Sequence, residues 1–330
     1  MPSLPLLRVP FLAQKVILGQ MTPMDLFQLS HTSKRVERIM KFSAMKNLKL
    51  ELCFNGKENY PEFCIKRDNV SYNFYIRPTE RLPGDQQFNI WESNVRNICW
   101  ITFVIFCNDV QRQTKIIVEY FRRVFDMKLS SLDLSHIDKH TFKLITDSVI
   151  AQQTEIDTMK LRHIGGPALD ITELLKNVKT EENLWVASKL KSTFGFNFAN
   201  VPKTATFQNA TWFTRHTLLN SEWEILLVTG ALLTNKAIDD FVEQWMQGNF
   251  PKLKHVTVVS KKFQNKTTVA GRVPPIFQAR VLPFRWREAR TWGVNVDVNV
   301  GINITNRNGV TAKFGFQGGA KSIFFLHVSY

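Results

Sequence analysis

No apolar run in this sequence approaches the roughly 20 residues that a membrane-spanning helix requires. The longest, Ile98–Cys107, is interrupted by Thr102. The opening residues, MPSLPLLRVPFLAQKVIL, lack a continuous hydrophobic stretch because Pro5, Arg8, Pro10 and Lys15 break it, so neither secretion nor membrane insertion is expected. Cysteine is scarce as well. Cys53, Cys64, Cys99 and Cys107 stand far apart with no Cys-x-x-Cys pair, which argues against a zinc ribbon or a disulfide framework. Reduced thiols in an intracellular compartment, cytoplasmic or nuclear, are the expectation, and the Asn-x-Ser/Thr sequons at Asn69, Asn209, Asn265 and Asn303 then carry no glycan.

Signatures of catalysis are missing too. There is no Gly-x-Ser-x-Gly elbow, no Gly-x4-Gly-Lys-Ser/Thr loop and no Gly-x-Gly-x-x-Gly after a strand. His136 and His140 are four apart, the spacing of paired zinc ligands on a helix, but no Glu follows His136 and no third ligand presents itself. Asp239, Asp240 and Glu243 read as a solvated helix face more readily than as a cation site, and Gly318-Gly319 beside Lys321 as a turn rather than a phosphate loop. Cys99 and Cys107 sit in an apolar run that raises a thiol pKa, which disfavours a nucleophile. The sequence therefore predicts no enzyme, no cofactor and no metal.

Acid is nearly absent from the C-terminal quarter. Residues 251–330 hold 13 Lys or Arg against only Glu288 and Asp297, most of the chain's net charge of +15. In that stretch Phe284, Trp286 and Trp292 alternate with Arg280, Arg285, Arg287 and Arg290, a composition that single-stranded nucleic acid also favours. The segment is flanked by Pro and shows no pattern of a groove-reading helix, so an acidic protein partner or solubility is the preferred reading over nucleic acid.

What is present is material for a core: 44% apolar residues, 26 Phe and 8 Trp in 330 residues, enough for two domains or a small module on a larger body. Residues 9–46 read as three short helices. Leu12, Val16 and Ile17 recur at helical spacing up to Gly19. Thr22 is a good N-cap, Pro23 suits the first helical position, and Asp25 at the third can bond back to the cap. A third helix begins near Thr32 or Ser33 and turns Val36, Ile39 and Met40 inward.

Period-two patterning follows. LKLELCF and then PEFCIKRDNVSYNFYI alternate, the latter around Asp68-Asn69, and predict a β-hairpin; residues 81–95, polar with Pro83-Gly84, predict a loop. CWITFVIFC is a strand or a helix start that periodicity does not separate, and 109–126 is a helix. From 129 to 260, strand-like runs at 129–134, 156–161, 183–187, 204–208, 224–229 and 253–259 alternate with helical stretches at 137–152, 168–178 and 236–246, the last after Thr234 as a candidate N-cap. Their spacing overlaps that of leucine-rich repeats, though an ordinary α/β sheet would give similar intervals. GINITNRNGVTAKFGF, alternating on both sides of Asn308-Gly309, predicts a terminal β-hairpin able to cover the last strand of a stacked sheet.

The run VPFLAQKVILGQMTPMDLFQLSHTSKRVERI resembles the F-box without a gap: Val9-Pro10, Ile17-Leu18, Met21, Pro23, Asp25-Leu26, Leu29-Ser30 and Ser33-Lys34-Arg35 take the family's positions. It departs at Leu12, where an acid is frequent, and at Val36, where Trp is common. The Phe-Arg-Arg-Val-Phe helix, LSSLDLS, ALLTNKAIDDFVEQWMQG, PKLKHVTV and the Arg307–Gly309 turn are similar to the type 2 F-box-associated region of the nematode-expanded F-box family. The resemblance implies a chain of α+β/α/β class: a small N-terminal helical F-box over 1–46, a hairpin-and-helix connecting region over 47–126, and a leucine-rich-repeat-like strand–helix body with a C-terminal β-hairpin over 127–330. It implies a substrate-recognition subunit of an SCF-type ubiquitin ligase, holding a Skp-type adaptor and through it a cullin, with an unidentified protein target on the body. Leu6, Leu7, Pro10, Leu12, Val16, Ile17, Met21 and Leu26 are the expected adaptor-docking residues, because interface energy concentrates in a few buried apolar anchors. Leu12, Val16, Ile17 and Leu26 cannot all serve both the bundle core and that interface.

Overall fold

In the computed structural model, the described residues are 6–329 without 56–59, 68–69, 80–87, 96–97, 136, 163–168, 189, 191–193, 195–200, 221, 265–267, 272–275, 279–300 and 319–321. They contain eight α-helices and fifteen strands and divide into two compact units, the first ending near Lys160 and the second continuing to the C-terminus. The changes of sequence pattern at 46/47 and 126/127 both fall inside the first unit.

The first unit opens with a 3-10 turn at Leu6–Arg8 and three helices, α1 (Phe11–Gln20), α2 (Pro23–Ser30) and α3 (Lys34–Ile39), followed by 3-10 turns at Met40–Phe42 and Ala44–Asn47. The local chemistry expected of α2 is realised in full. Thr22 accepts from the Asp25 amide, and the Asp25 carboxylate accepts from the Thr22 amide at 3.2 Å, a reciprocal capping box with Pro23 at the first position. Ser33, not Thr32, caps α3 through the Val36 amide.

Strands β1 (Lys49–Asn55), β2 (Tyr60–Arg67), β3 (Val70–Pro78), β4 (Phe88–Val95) and β5 (Ile98–Cys107) precede α4 (Val110–Phe125), β6 (Leu129–Ser135), α5 (Lys139–Gln152) and β7 (Glu155–Arg162). The sheet order is β7-β6-β1-β2-β3-β5-β4. The β2–β3 hairpin forms with Arg67 opposite Val70, while the Asp68-Asn69 pair itself lies outside the described residues. CWITFVIFC resolves as strand β5, paired parallel with β3. The expected 81–95 loop is corrected: 88–95 forms β4, antiparallel to β5 at the end of the sheet order, where a strand needs a partner on one side only and tolerates polar residues. Alternation along the strands buries Leu50, Leu52, Phe63, Ile65, Phe74, Ile76 and Phe103. Ile117, Val118, Phe121, Val124 and Phe125 form the buried stripe of α4, which ends on the left-handed Asp126, φ 56°.

The second unit carries α6 (Leu169–Asn177), β8 (Lys179–Ala187), β9 (Thr204–Phe207), α7 (Arg215–Leu219), β10 (Ile225–Ala231), α8 (Asn235–Met246), β11 (His255–Ser260), β12 (Ile276–Gln278), β13 (Ile302–Thr305), β14 (Thr311–Gly318) and β15 (Ser322–Ser329). β8, β9, β10 and β11 are parallel neighbours, and across them Leu184, Ala205, Leu226 and Val256 stand in one buried row. Thr234 occupies the N-cap position of α8 but its side chain makes no cap bond.

The Asn308-Gly309 hairpin joins β13 to β14 with Gly309 at φ 80°, and the Asn306 side-chain oxygen accepts from the amides of Asn308 and Val310. Its placement differs from expectation. β15, which the pattern reading left unassigned, pairs antiparallel with β11 and with β14, so the last parallel strand is covered by the final strand of the chain and the hairpin lies one strand further out. The turn is also tied to α8, since the Arg307 amide donates to Met246 O at 2.9 Å. Gly248, φ 88°, leaves room there: a Cβ would approach Arg307 Nε to 2.9 Å.

Candidate functional site

The N-terminal helices set the geometry of the best-defined surface feature. α1 is apolar on more than one side. It buries Leu18 completely, yet Phe11, Leu12 and Val16 are 50%, 74% and 65% exposed. Phe42, 47% exposed, meets Phe11 edge-on at 4.9 Å between ring centroids, so the apolar surface extends from α1 onto the turn after α3. Pro10 is exposed beside it. Most large exposed apolar side chains of the described residues belong to this one cluster, the others being Ile116 and Leu232.

Of the docking residues expected from sequence, Pro10, Leu12 and Val16 lie on this face, and Leu7, Ile17 and Met21 are half-buried. Leu26 of α2, 1% exposed, and Leu6 of the opening 3-10 turn, 8% exposed, are corrected: both are buried in the core and present no surface to a partner. Phe11 and Phe42 are additions. Phe11 stands outside the Leu12, Val16, Ile17 spacing, and Phe42 lies past the last regular turn, where periodicity carries no signal.

This face is held firmly. Phe27 of α2 inserts among Phe74, Phe103, Phe121 and Tyr120 with ring centroids 5.0 to 5.8 Å apart. Tyr120 donates to Ser30 Oγ at 2.6 Å and stacks on His31. Arg67 at the end of β2 donates from Nη1 to Met21 O and from Nη2 to Gly19 O, at 2.7 and 2.8 Å, satisfying carbonyls that the end of α1 leaves open. Arg123 of α4 pairs with Glu37 at 3.1 Å.

Among the described residues the chemical candidates stand apart from one another. Burial, then the nearby Glu62 carboxylate, pushes the Cys53 thiol far above its ordinary range; burial, then Asp109, also raises Cys107. Cys64 is raised by burial and shares a 3.0 Å contact with Ser71 Oγ. Cys53, Cys64 and Cys107 are free thiols. His140 is exposed on α5, and His136 lies outside the described residues. The two aspartates of the acidic group on α8 are paired: Asp239 holds Lys236 and accepts from the Ala270 amide, and Asp240 pairs with Lys236 and Arg215. Among the described residues no cluster of three His, Cys, Asp or Glu is placed to hold a metal. The segment with Arg280, Phe284, Arg285, Trp286, Arg287, Arg290 and Trp292 lies outside the described residues, as does Gly319. No described helix is long and apolar enough to cross a membrane.

Comparison with known families adds one match. The model of a family described as "F-box associated" matches residues 190–258, the stretch holding β9, α7, β10, α8 and the start of β11. No curated protein and no solved structure matches the chain.

Proposed function

We propose that this chain is a substrate-recognition subunit of an SCF-type ubiquitin ligase. The carrying observation is the F-box-associated match over 190–258, downstream of an N-terminal run with the F-box register. In this reading residues 1–46 are the F-box and dock a Skp-type adaptor, and through it a cullin, by Pro10, Phe11, Leu12, Val16 and Phe42. Leu7, Ile17 and Met21 border the contact. The parallel strand–helix array of the second unit is a leucine-rich-repeat-like body that presents a protein target. Such stacked arrays offer extended surfaces suited to macromolecules. The work is done inside the cell, without cofactor, membrane or nucleic acid.

The test is capture of the purified full-length chain by a recombinant Skp-type adaptor. Wild type should be retained, and Leu12→Asp with Val16→Asp should lose at least tenfold in affinity, since unpaired charges in a desolvated contact cost several kcal/mol. Both positions are exposed, so the variant should keep the wild-type fold by circular dichroism. Undiminished capture by a folded variant would place the docking surface elsewhere.

A further inference from the structure

We infer that the N-terminal apolar face is built for an acidic partner surface: its basic border steers association while its apolar centre holds the complex. This rests on the adaptor reading and adds the charge of the surface that the face accepts. Residues 6–47 contain seven cations, Arg8, Lys15, Lys34, Arg35, Arg38, Lys41 and Lys46, and only two acids. Both acids are committed. Asp25 is locked in the capping box with Thr22, and Glu37 pairs with Arg123 of α4.

The cations stand where the apolar cluster is. Lys15 follows Phe11 by four residues and Leu12 by three, the spacings that share a helix face, and it precedes Val16 directly. Lys41 adjoins Phe42, Arg38 lies four residues before it, and Arg8 comes two residues before Pro10. Arg8, Lys15, Arg38 and Lys41 are all exposed, and no described carboxylate pairs with any of them. On the α4 surface, by contrast, Lys115 has Glu119 one turn away, and on α8 Lys236 has two aspartates. An apolar centre with an unneutralised border of one sign is the arrangement in which rim charges accelerate encounter and discriminate partners while the desolvated anchors set the lifetime. A like-charged or neutral docking surface would leave these cations without function at the contact.

The experiment is biosensor kinetics of the full-length chain against a recombinant Skp-type adaptor at about 50, 150 and 500 mM salt, a range over which screening grows steadily. Wild-type association should slow with salt. Lys15→Glu, Arg38→Glu and Lys41→Glu together should lower the association rate roughly tenfold or more at low salt and remove its salt dependence, with dissociation within about twofold of wild type. Leu12→Ala with Val16→Ala should do the reverse, raising the dissociation rate with little change in association. A folded charge-reversal variant that associates as fast as wild type at low salt would overturn the acidic-partner inference and leave the adaptor reading standing. Absence of wild-type binding at every salt concentration would overturn both.

Discussion

Arg67 reaches back 46 and 48 residues along the sequence with two hydrogen bonds, one from each terminal guanidinium nitrogen, whose fixed planar fork suits two separate carbonyls. Arg67→Lys retains the charge but not the geometry and should lower stability by about 1–3 kcal/mol in urea titration, because at least one partly buried carbonyl loses its donor. Phe27→Ala, which empties the space between Phe74, Phe103 and Phe121, should remove about 3–5 kcal/mol in the same assay. Acid sensitivity has its own residue. His255, opposite His327 across β11 and β15, is driven down to about 3 by burial and then by its neighbour. Its folded pKa is below the ordinary 6.5, so between those values the unfolded chain binds a proton that the folded chain refuses. Stability should therefore fall as pH drops from about 6.5, by on the order of 1 kcal/mol per pH unit from this group, and be independent of it above. Denaturant midpoints at pH 7.5, 6.5 and 5.5 should show that decline for wild type and a flatter profile for His255→Gln.

At the scale of elements, short-range chemistry was legible at several places where one side chain answers a neighbour within four residues, though not at the Asp109 and Asp138 caps. The capping box of α2, the Ser33 cap and the Asn308-Gly309 turn all follow from such pairs. Strand β15 was not, because SIFFLHVS has no turn linking it to β11, and its pairing is decided across more than sixty residues. That pairing covers β11, a strand buried at every position. A chain ending at 318 should expose an edge of paired-ready backbone groups and lose solubility relative to wild type in a sedimentation assay, since uncovered apolar edges invite association. Equal solubility of the truncated chain would mean that β15 is dispensable as a cover.

For the molecule as a whole, the first unit includes the N-terminal helices as part of its core. A chain starting at residue 47 lacks Phe27 and leaves the apolar face of Phe74, Phe103 and Phe121 uncovered. It should fail to fold cooperatively by thermal denaturation. Loss of adaptor capture in that truncation would then report unfolding, which is why the point variants at exposed Leu12 and Val16 are the sharper instrument. Exchange of residues 167–330 for those of a relative should transfer target choice and leave adaptor affinity within about threefold, because the residues proposed to dock the adaptor lie wholly in the first unit.

The sequence by itself determined the three N-terminal helices, the β2–β3 hairpin, the helices at 110–125, 139–152, 169–177 and 235–246, and the terminal turn, because each is written in periodicity or caps spanning a few residues. It also contained the exposed apolar face of α1, but in a form that could not be read alone: Leu12, Val16, Ile17 and Leu26 are equally apolar, and helical spacing assigns faces without saying which one a neighbouring element will cover. Tertiary structure decided that. Packing of α2 against β3, β5 and α4 consumed Phe27 and left Leu26 buried, while α1, pinned at its C-terminal end by Arg67 and anchored by Leu18, left Phe11, Leu12 and Val16 in water beside Phe42. Burial is settled between elements distant in sequence, and no window of a single helix records it.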